Sequence, residues 1–329
     1  MKLIVQEYGS KITKSSNCLC VTNASAKNQF CAEQVEEVHV YPACNISAEA
    51  IQLCMNKNIW ILFLDQYGEP QGEILPFSSG CAPIYKRNQL KLASCREGVE
   101  IVKGFLSKKL DNRVRHLKKI KKNKKKKEII EFMEKQISAI EVQREKIKAV
   151  SGENMDEVRG TLQGYEGAAG RAYFECISFL LPEKLKFQQR RRNASDLYNC
   201  ALNYLYGILY AKVTAIVHKC RLDPYIGIMH VDTYNKPTFV YDFIEIERII
   251  CEEAAFEICV SGQLKSEELQ KNELGEWKLT KTARNLLTQT FYEKMNECCS
   301  WGNRTITVEQ RINREMLEVA QRIGDLKEG

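Results

Sequence analysis

"SSGCAPIYKRNQLKLASCREGVEIVKGFLSKKL", residues 78–110, divides the chain in two. Its first residues are small or turn-forming and end on Pro83, the composition of a linker. From Ile84 onward, apolar residues recur at helical spacing with charges between them, as one long amphipathic stretch. The sequence before the break has a different rhythm. "KLIVQEY", "NCLCVTN", "VEEVHVY" and "NIWILFLD" are short runs of Val, Ile and aromatics separated by Gly, Ser, Asn and Pro, and they read as strands. Between the last two, "SAEAIQLCMNKN" has Ser47 as an N-cap ahead of helical spacing. "QYGEPQGEILPF" reads as a turn followed by a strand. After the break the helical pattern persists through "KEIIEFMEKQISAIEVQREKIKAV" and through stretches near 165–181, 195–221, 242–262, 280–298 and 306–324. The expectation is an α+β, two-domain chain. A small β-rich domain covers 1–78, a linker 79–83, and a larger all-α domain 84–329 with a basic inter-helix segment at 108–127.

Bulk properties narrow the class. The chain has 329 residues, 44% hydrophobic and 28% charged, the balance of a globular protein with a substantial core. No apolar run reads as a membrane span, and "MKLIVQEYG" reads as a strand rather than a signal peptide, so a cytoplasmic protein without a membrane partner is expected. The 14 cysteines include no CxxC pair, which argues against zinc ribbons and dithiol redox motifs. Charge is concentrated. Residues 108–127 carry twelve Lys or Arg and one Asp, a net of +11, so the rest of a +7 chain is −4 (7 − 11). A run of this kind binds a polyanion through phosphates or forms a solvated tip; it holds no aromatic residue for base stacking.

Candidate chemistry lies in three places. "GYEGAAGRAYF", 164–174, sets Glu166 among small residues that let another helix or DNA approach. "RLDPYIGIMH" ends in His230 after an Asp-Pro break, and "FVYDFIEIERII" follows with Asp242 and Glu245 three residues apart. Each has a bland reading. A carboxylate at a helix start offsets the helix dipole, and Asp-x-x-Glu is close to a capping box. Together, Glu166, His230 and Glu245 offer two oxygens and one nitrogen, a set suited to Mg²⁺ or Mn²⁺ and to phosphodiester chemistry. His39, His116 and His218 read as structural or solvated.

Arg190, Arg191 and Arg192 in "KFQQRRRN" are read either as a solvated linker or as a phosphate clamp. Lys278, Lys281 and Arg284 recur every three residues, as a DNA-facing stripe or a solvent face. Tyr165 reads as core packing, with DNA positioning as the alternative.

"GYEGAAGRAYF", "ALNYLYGILYAKV", "RLDPYIGIMH" and "VYDFIEIER", in this order and at these separations, resemble the CRISPR-associated "Cas-one" family, the integrases of spacer acquisition. "YGEPQGEILP" with "KRNQLKLA", "WKLTKTARNLLTQTFYEKM" and "VEQRINREMLEVAQRI" extend the resemblance over nearly the whole chain. It implies a β-rich dimerisation domain and an α-helical catalytic domain in a prokaryotic cytoplasmic enzyme. It implies Glu166, His230 and Glu245 as catalytic metal ligands, with Asp242 as a supporting or alternative ligand. The implied partners are prespacer DNA, the CRISPR repeat and leader DNA, a second copy in a homodimer, and a small adaptation protein bridging two dimers. The implied reaction is attack of a DNA 3′-hydroxyl on a phosphodiester at the repeat edge. The alternatives are a metal-dependent endonuclease that cuts branched or single-stranded DNA without joining it, and a non-catalytic nucleic-acid scaffold.

Overall fold

The computed structural model describes residues 1–65, 70–74, 76, 83–192, 194–271, 275 and 277–326. The chain divides into two compact units, Met1–Ala82 and Pro83–Gly329. The linker expected at 79–83 lies outside the described residues except for Pro83, which opens a helix.

The first unit contains β1 (Lys2–Val5), β2 (Lys11–Ser15), β3 (Cys18–Thr22), β4 (Lys27–Cys31), β5 (Glu37–Val40), β6 (Asn45–Ile46), α1 (Ala48–Asn56), β7 (Trp60–Leu64) and β8 (Pro70–Ile74). Two four-stranded sheets result, ordered β1-β5-β7-β8 and β4-β3-β2-β6. In the first, β1, β5 and β7 are parallel and β8 antiparallel; in the second, only β6 runs parallel to its neighbour. Every residue of β5 is buried, as a central strand covered on both faces requires. Ser47 caps α1 as its sequence predicts, its side chain accepting from the Ala50 N–H at 3.2 Å. Leu3, Val5, Ile12, Leu19, Val38 and Ile61 are among the residues of an aliphatic core.

The second unit is mostly helical: α2 (Pro83–Lys91), α3 (Arg96–Lys121), α4 (Lys127–Ala149), α5 (Met155–Leu180), α6 (Leu197–Lys219), α7 (Thr238–Val260), α8 (Lys281–Asn296) and α9 (Val308–Gly324). Two short antiparallel hairpins interrupt it, β9 (Leu269–Lys271) with β10 (Trp277–Leu279) and β11 (Cys298–Trp301) with β12 (Arg304–Thr307), so this unit is not purely helical. The stretch after Pro83 is two helices rather than one. A tight turn over Leu92–Ser94 separates α2 from α3, and it brings the Leu92 carbonyl so close to Gly98 that a Cβ there would collide with it.

The basic stretch at 108–127 is not an inter-helix segment either. Its residues up to Lys121 are the C-terminal half of α3, and α4 begins at Lys127. Several of its lysines are matched by acids on neighbouring helices: Lys118 by Glu141 and Lys121 by Glu134. Helix α6 is long and apolar enough to cross a membrane by length and composition, but here Leu202, Leu205, Leu209 and Val213 are buried in the core, packed with α7 and α8.

Candidate active site

Two helices of the second unit carry ionisable residues at positions where a core helix normally carries aliphatics. On α3, Val102, Leu106, Lys109, Arg113 and His116 follow one another at alternating spacings of four and three, which places them on one face. All five are buried. On α7, Asp242, Glu245, Glu252, Phe256 and Cys259 lie on one face in the same way and are buried too. The packed helices therefore set a row of cations against a row of carboxylates. Arg113 donates from Nε to Glu252 at 3.1 Å and from Nη2 at 2.5 Å, and the Tyr206 hydroxyl donates to Glu252 at 2.9 Å. Burial pushes Glu252 up, but the charge and hydrogen bonds of Arg113 outweigh it and hold its carboxyl at about 2.

One helical turn before this pair, the Lys109 ammonium donates to both Glu245 on α7 and Glu166 on α5. Lys109 is 3% exposed, and Glu166 is the partly open member of the trio. Arg248 adds a second cation to Glu245 at 2.8 Å and donates to the Tyr210 hydroxyl at 3.2 Å. Burial and mutual repulsion push the two carboxylates up; Lys109, with Arg248 on Glu245, holds both below the usual range.

Neither bland reading of these acids applies. Glu166 sits in the middle of α5, and α7 is preceded by Pro237, so Glu245 lies two turns inside its helix. The small residues beside Glu166 divide: a Cβ built on Gly164 would meet nothing within 4 Å and on Gly167 only Arg171 Nη1 of the same helix at 3.8 Å, whereas on Gly170 it would meet Arg113 Nη1 of α3 at 3.7 Å. The side of α5 at Gly164 is open, while Ala169 is fully buried.

His230 is positioned by the loop between α6 and α7. Asp242 accepts from the backbone N–H groups of Ile228, Met229 and His230 at 2.5, 3.1 and 3.1 Å, and from His230 Nδ1 at 2.6 Å. Four donors on two oxygens leave no lone pair for a metal. Asp242, expected from the sequence as a supporting or alternative ligand, is thus engaged in holding the 228–230 loop. Because a carboxylate accepts, Nδ1 is the donor of this bond, and Nε2 is the ring nitrogen left to face away from Asp242. Gln89, fully buried on α2, braces the same loop by donating to the carbonyls of Asp223 at 2.7 Å and Ile226 at 3.0 Å.

Two of the three expected ligands therefore converge on one point, and the third stands one turn of α7 away, on the residue that leads Glu245 by three. An ammonium held between carboxylates from two helices has the charge pattern of a hard-cation site, and the oxygen donors suit Mg²⁺ or Mn²⁺. Among the described residues, no three His, Cys, Asp or Glu side chains are close enough together to hold a metal as they stand.

The family model described as "CRISPR associated protein Cas1" matches residues 3–293 of the chain. The chain belongs to the Cas1 family. It is 27% identical over 323 residues to the "CRISPR-associated endonuclease Cas1 1" of Archaeoglobus fulgidus, covering 95% of this chain and 93% of that one. Among solved structures, the "Casposase bound to integration product" superposes with a TM-score of 0.69 at 21% identity, covering all of this chain and 96% of that one. The "Cas6-RT-Cas1--Cas2 complex" superposes with a TM-score of 0.71 at 21% identity, over 98% of this chain and 35% of that longer one.

Other residues of this Cas1 chain divide between structural and open positions. Arg190 is turned inward to Asn199 at 3.0 Å and Asn203 at 2.5 Å, with its guanidinium 5.3 Å from the Tyr206 ring centroid, whereas Arg191 and Arg192 are exposed. Lys278, Lys281 and Arg284 do not form one helical stripe: Lys278 lies in β10 and Thr280 caps α8 ahead of the other two. Tyr165 packs at the edge of the core, 5.6 Å from Lys146. His116 is buried and bonded to the Tyr173 hydroxyl at 2.8 Å. Sequence reading missed Lys109, Arg113, Arg248 and Glu252. The available signal was a titratable side chain recurring at core spacing on α3 and α7.

Proposed function

We propose that this chain is the integrase of CRISPR spacer acquisition, a metal-dependent enzyme that joins the 3′-hydroxyl of a short DNA fragment to a phosphodiester at the edge of a CRISPR repeat. Membership in the Cas1 family supports the CRISPR setting, and the likeness to a casposase bound to an integration product supports joining. The observation that carries the chemistry is the convergence of Glu166 and Glu245 from different helices on one cation position, with His230 on the adjoining turn.

In this reading Glu166 and Glu245 hold Mg²⁺ or Mn²⁺, and His230 offers Nε2 from its braced loop. A cation held there would supply charge stabilisation for phosphodiester chemistry. Asp242 fixes the tautomer and direction of His230. Arg248 offsets the negative charge of Glu245 and keeps a positive field over the site. Joining exchanges one phosphodiester for another, so the chain's main tasks are alignment of the hydroxyl and charge stabilisation, and no external energy source is needed. Glu166, 28% exposed, is the member of the pair that a DNA backbone would reach.

The partners proposed are prespacer and repeat DNA, a second copy of the chain through the β-rich unit, and a small adaptation protein bridging two dimers. The likeness to a complex containing Cas1 and Cas2 supports the last. A prokaryotic cytoplasmic location follows from the same reading.

The test is a strand-transfer assay with an end-labelled fragment and a plasmid carrying a CRISPR repeat. Wild type with Mn²⁺ or Mg²⁺ gives longer covalent products, and Glu166→Gln gives none while binding DNA with wild-type affinity. Wild-type joining by Glu166→Gln would refute the site. The name of the Archaeoglobus relative favours a second reading, an endonuclease without joining. Only shorter products from wild type would establish it.

A further inference from the structure

Two cysteines of the first unit face each other across a strand ladder. In the antiparallel pairing of β3 with β4, Cys18 stands directly opposite Cys31. The Ala32 N–H donates to the Asn17 carbonyl at 3.0 Å, and the Asn23 N–H to the Ala26 carbonyl at 3.0 Å, so these two pairs are hydrogen-bonded ones. The ladder alternates, which makes Cys18 with Cys31 a non-hydrogen-bonded pair. Opposed Cα atoms come closest at such pairs, about 4.5 Å apart, inside the range of roughly 4.4–6.8 Å that a disulfide spans. Among the described residues, no other two cysteines are opposed in a ladder.

Leu19 and Phe30, the next pair along, turn to the aliphatic core. Strand alternation therefore puts both thiols on the other face of the sheet, and both residues are partly exposed. Glu33, two residues beyond Cys31, accepts from the Cys31 thiol at 2.8 Å, from Asn17 Nδ2 at 2.6 Å and from the Lys57 ammonium at 2.8 Å. The bond from Cys31 leads the interactions that hold the Glu33 carboxyl at about 2, and the same bond pushes the Cys31 thiol up. The first attack on an oxidant thus falls to Cys18, since the thiolate and not the thiol is the nucleophile.

We propose that Cys18 and Cys31 are a reversible thiol–disulfide pair, oxidised by a low-molecular-weight disulfide, whose closure ties β4, the end strand of its sheet, to β3. The Cys18 thiolate attacks one sulfur of the oxidant and expels a thiolate, which takes up a proton and leaves as thiol. Cys31 then gives its proton to solvent and attacks the Cys18 sulfur of the mixed disulfide, expelling the second thiolate, which is protonated in turn. The two cysteines lose two electrons and two protons, the oxidant gains both, and two small thiols leave. The inference concerns the β-rich unit and stands without the DNA-joining reading.

In the experiment, the reduced full chain is equilibrated in glutathione buffers of stepped thiol-to-disulfide ratio, trapped with an alkylating agent, digested and read by tandem mass spectrometry. Cys18 and Cys31 become joined as the share of glutathione disulfide rises, and dithiothreitol separates them. At a given buffer ratio, the proportion of joined to free pair is about tenfold higher in the folded chain than in urea, because only the fold sets the two thiols opposite each other. Cys18→Ser leaves Cys31 free at every ratio, and Glu33→Gln closes the pair faster at pH 7 by removing the carboxylate that holds the Cys31 proton. Equal joining in the folded and the urea-unfolded chain overturns the pair. So does a link from Cys31 to Cys20 instead of Cys18, or a glutathione adduct on Cys18 that persists beside a free Cys31.

Discussion

Lys109 decides the charge balance of the candidate site. Two carboxylates facing one point in a mostly buried setting repel each other, and a lysine ammonium is the compact point charge able to hold them together. If a divalent cation takes the same oxygens, ammonium and metal compete. Lys109→Met then has two opposite effects. In chelator the protein loses about 3 kcal/mol, because Glu166 is left without its ammonium and repels a Glu245 that keeps only Arg248. With Mn²⁺ the loss is recovered, so the metal-induced rise in thermal midpoint is larger in the variant than in wild type. Thermal unfolding with and without Mn²⁺ measures both effects without reference to activity. A metal-induced rise no larger than that of wild type would show that Lys109 and the metal do not share these oxygens.

At the scale of elements, the site is a matter of two helices and one loop. Asp242 is the link between them, since it sits on α7 and gathers four donors from residues 228–230. Asp242→Asn puts an amide where those donors need a second acceptor and removes the charge that orients His230. Joining activity should fall about 10- to 100-fold, the usual effect of losing a partner that orients a histidine, while the thermal midpoint moves much less. Equal activity in Asp242→Asn would mean that His230 needs no such support.

This loop also shows what the sequence made legible. The Asp-Pro break, Gly227 and the restart of a helix located His230, because such residues punctuate the chain locally. Asp242 looked like a helix cap because spacing alone gives no helix start; the chain enters α7 at Thr238, so the acid falls on the buried face instead. The lysine run misled for a related reason. Charge counts treat Lys109 and Lys126 alike, although α3 turns the first into the core and leaves the second outside it. The two-unit division was readable from the change of hydrophobic period at Pro83. The pairing of Lys109 with Glu166 and Glu245 depends on three helices meeting, which no local pattern encodes.

For the whole molecule, the two units store their stability differently, and acid should separate them. The core of the first unit is aliphatic, built on Val, Ile and Leu from two sheets. Beside it the first unit buries one carboxylate–histidine pair, Glu37 with His39 at 3.0 Å, whereas the second buries a charge network spanning several helices and a histidine that burial keeps neutral. Burial holds His116 down to about 4, so between its unfolded value near 6.5 and that point the unfolded chain binds the extra proton and stability falls as pH falls. The full contribution is roughly 3 kcal/mol, following from about 1.4 kcal/mol per pH unit. Glu252, held at about 2, adds stability that is complete above its unfolded value near 4.5 and is lost as pH drops toward 2. Glu247 opposes His116: burial raises its carboxyl to about 7, so between there and 4.5 the folded chain binds the extra proton and this group adds stability as pH falls. The net loss in the second unit therefore falls below 4.5, where Glu252 protonates. Hydrogen exchange at stepped pH should show amides of α3 and α7 losing protection before those of β1, β5 and β7. In His116→Gln the destabilising part of the dependence between pH 6.5 and 4.5 should disappear and leave the opposing contribution of Glu247. Simultaneous loss of protection in both units, or an unchanged slope in His116→Gln, would place the acid sensitivity outside the network that builds the site.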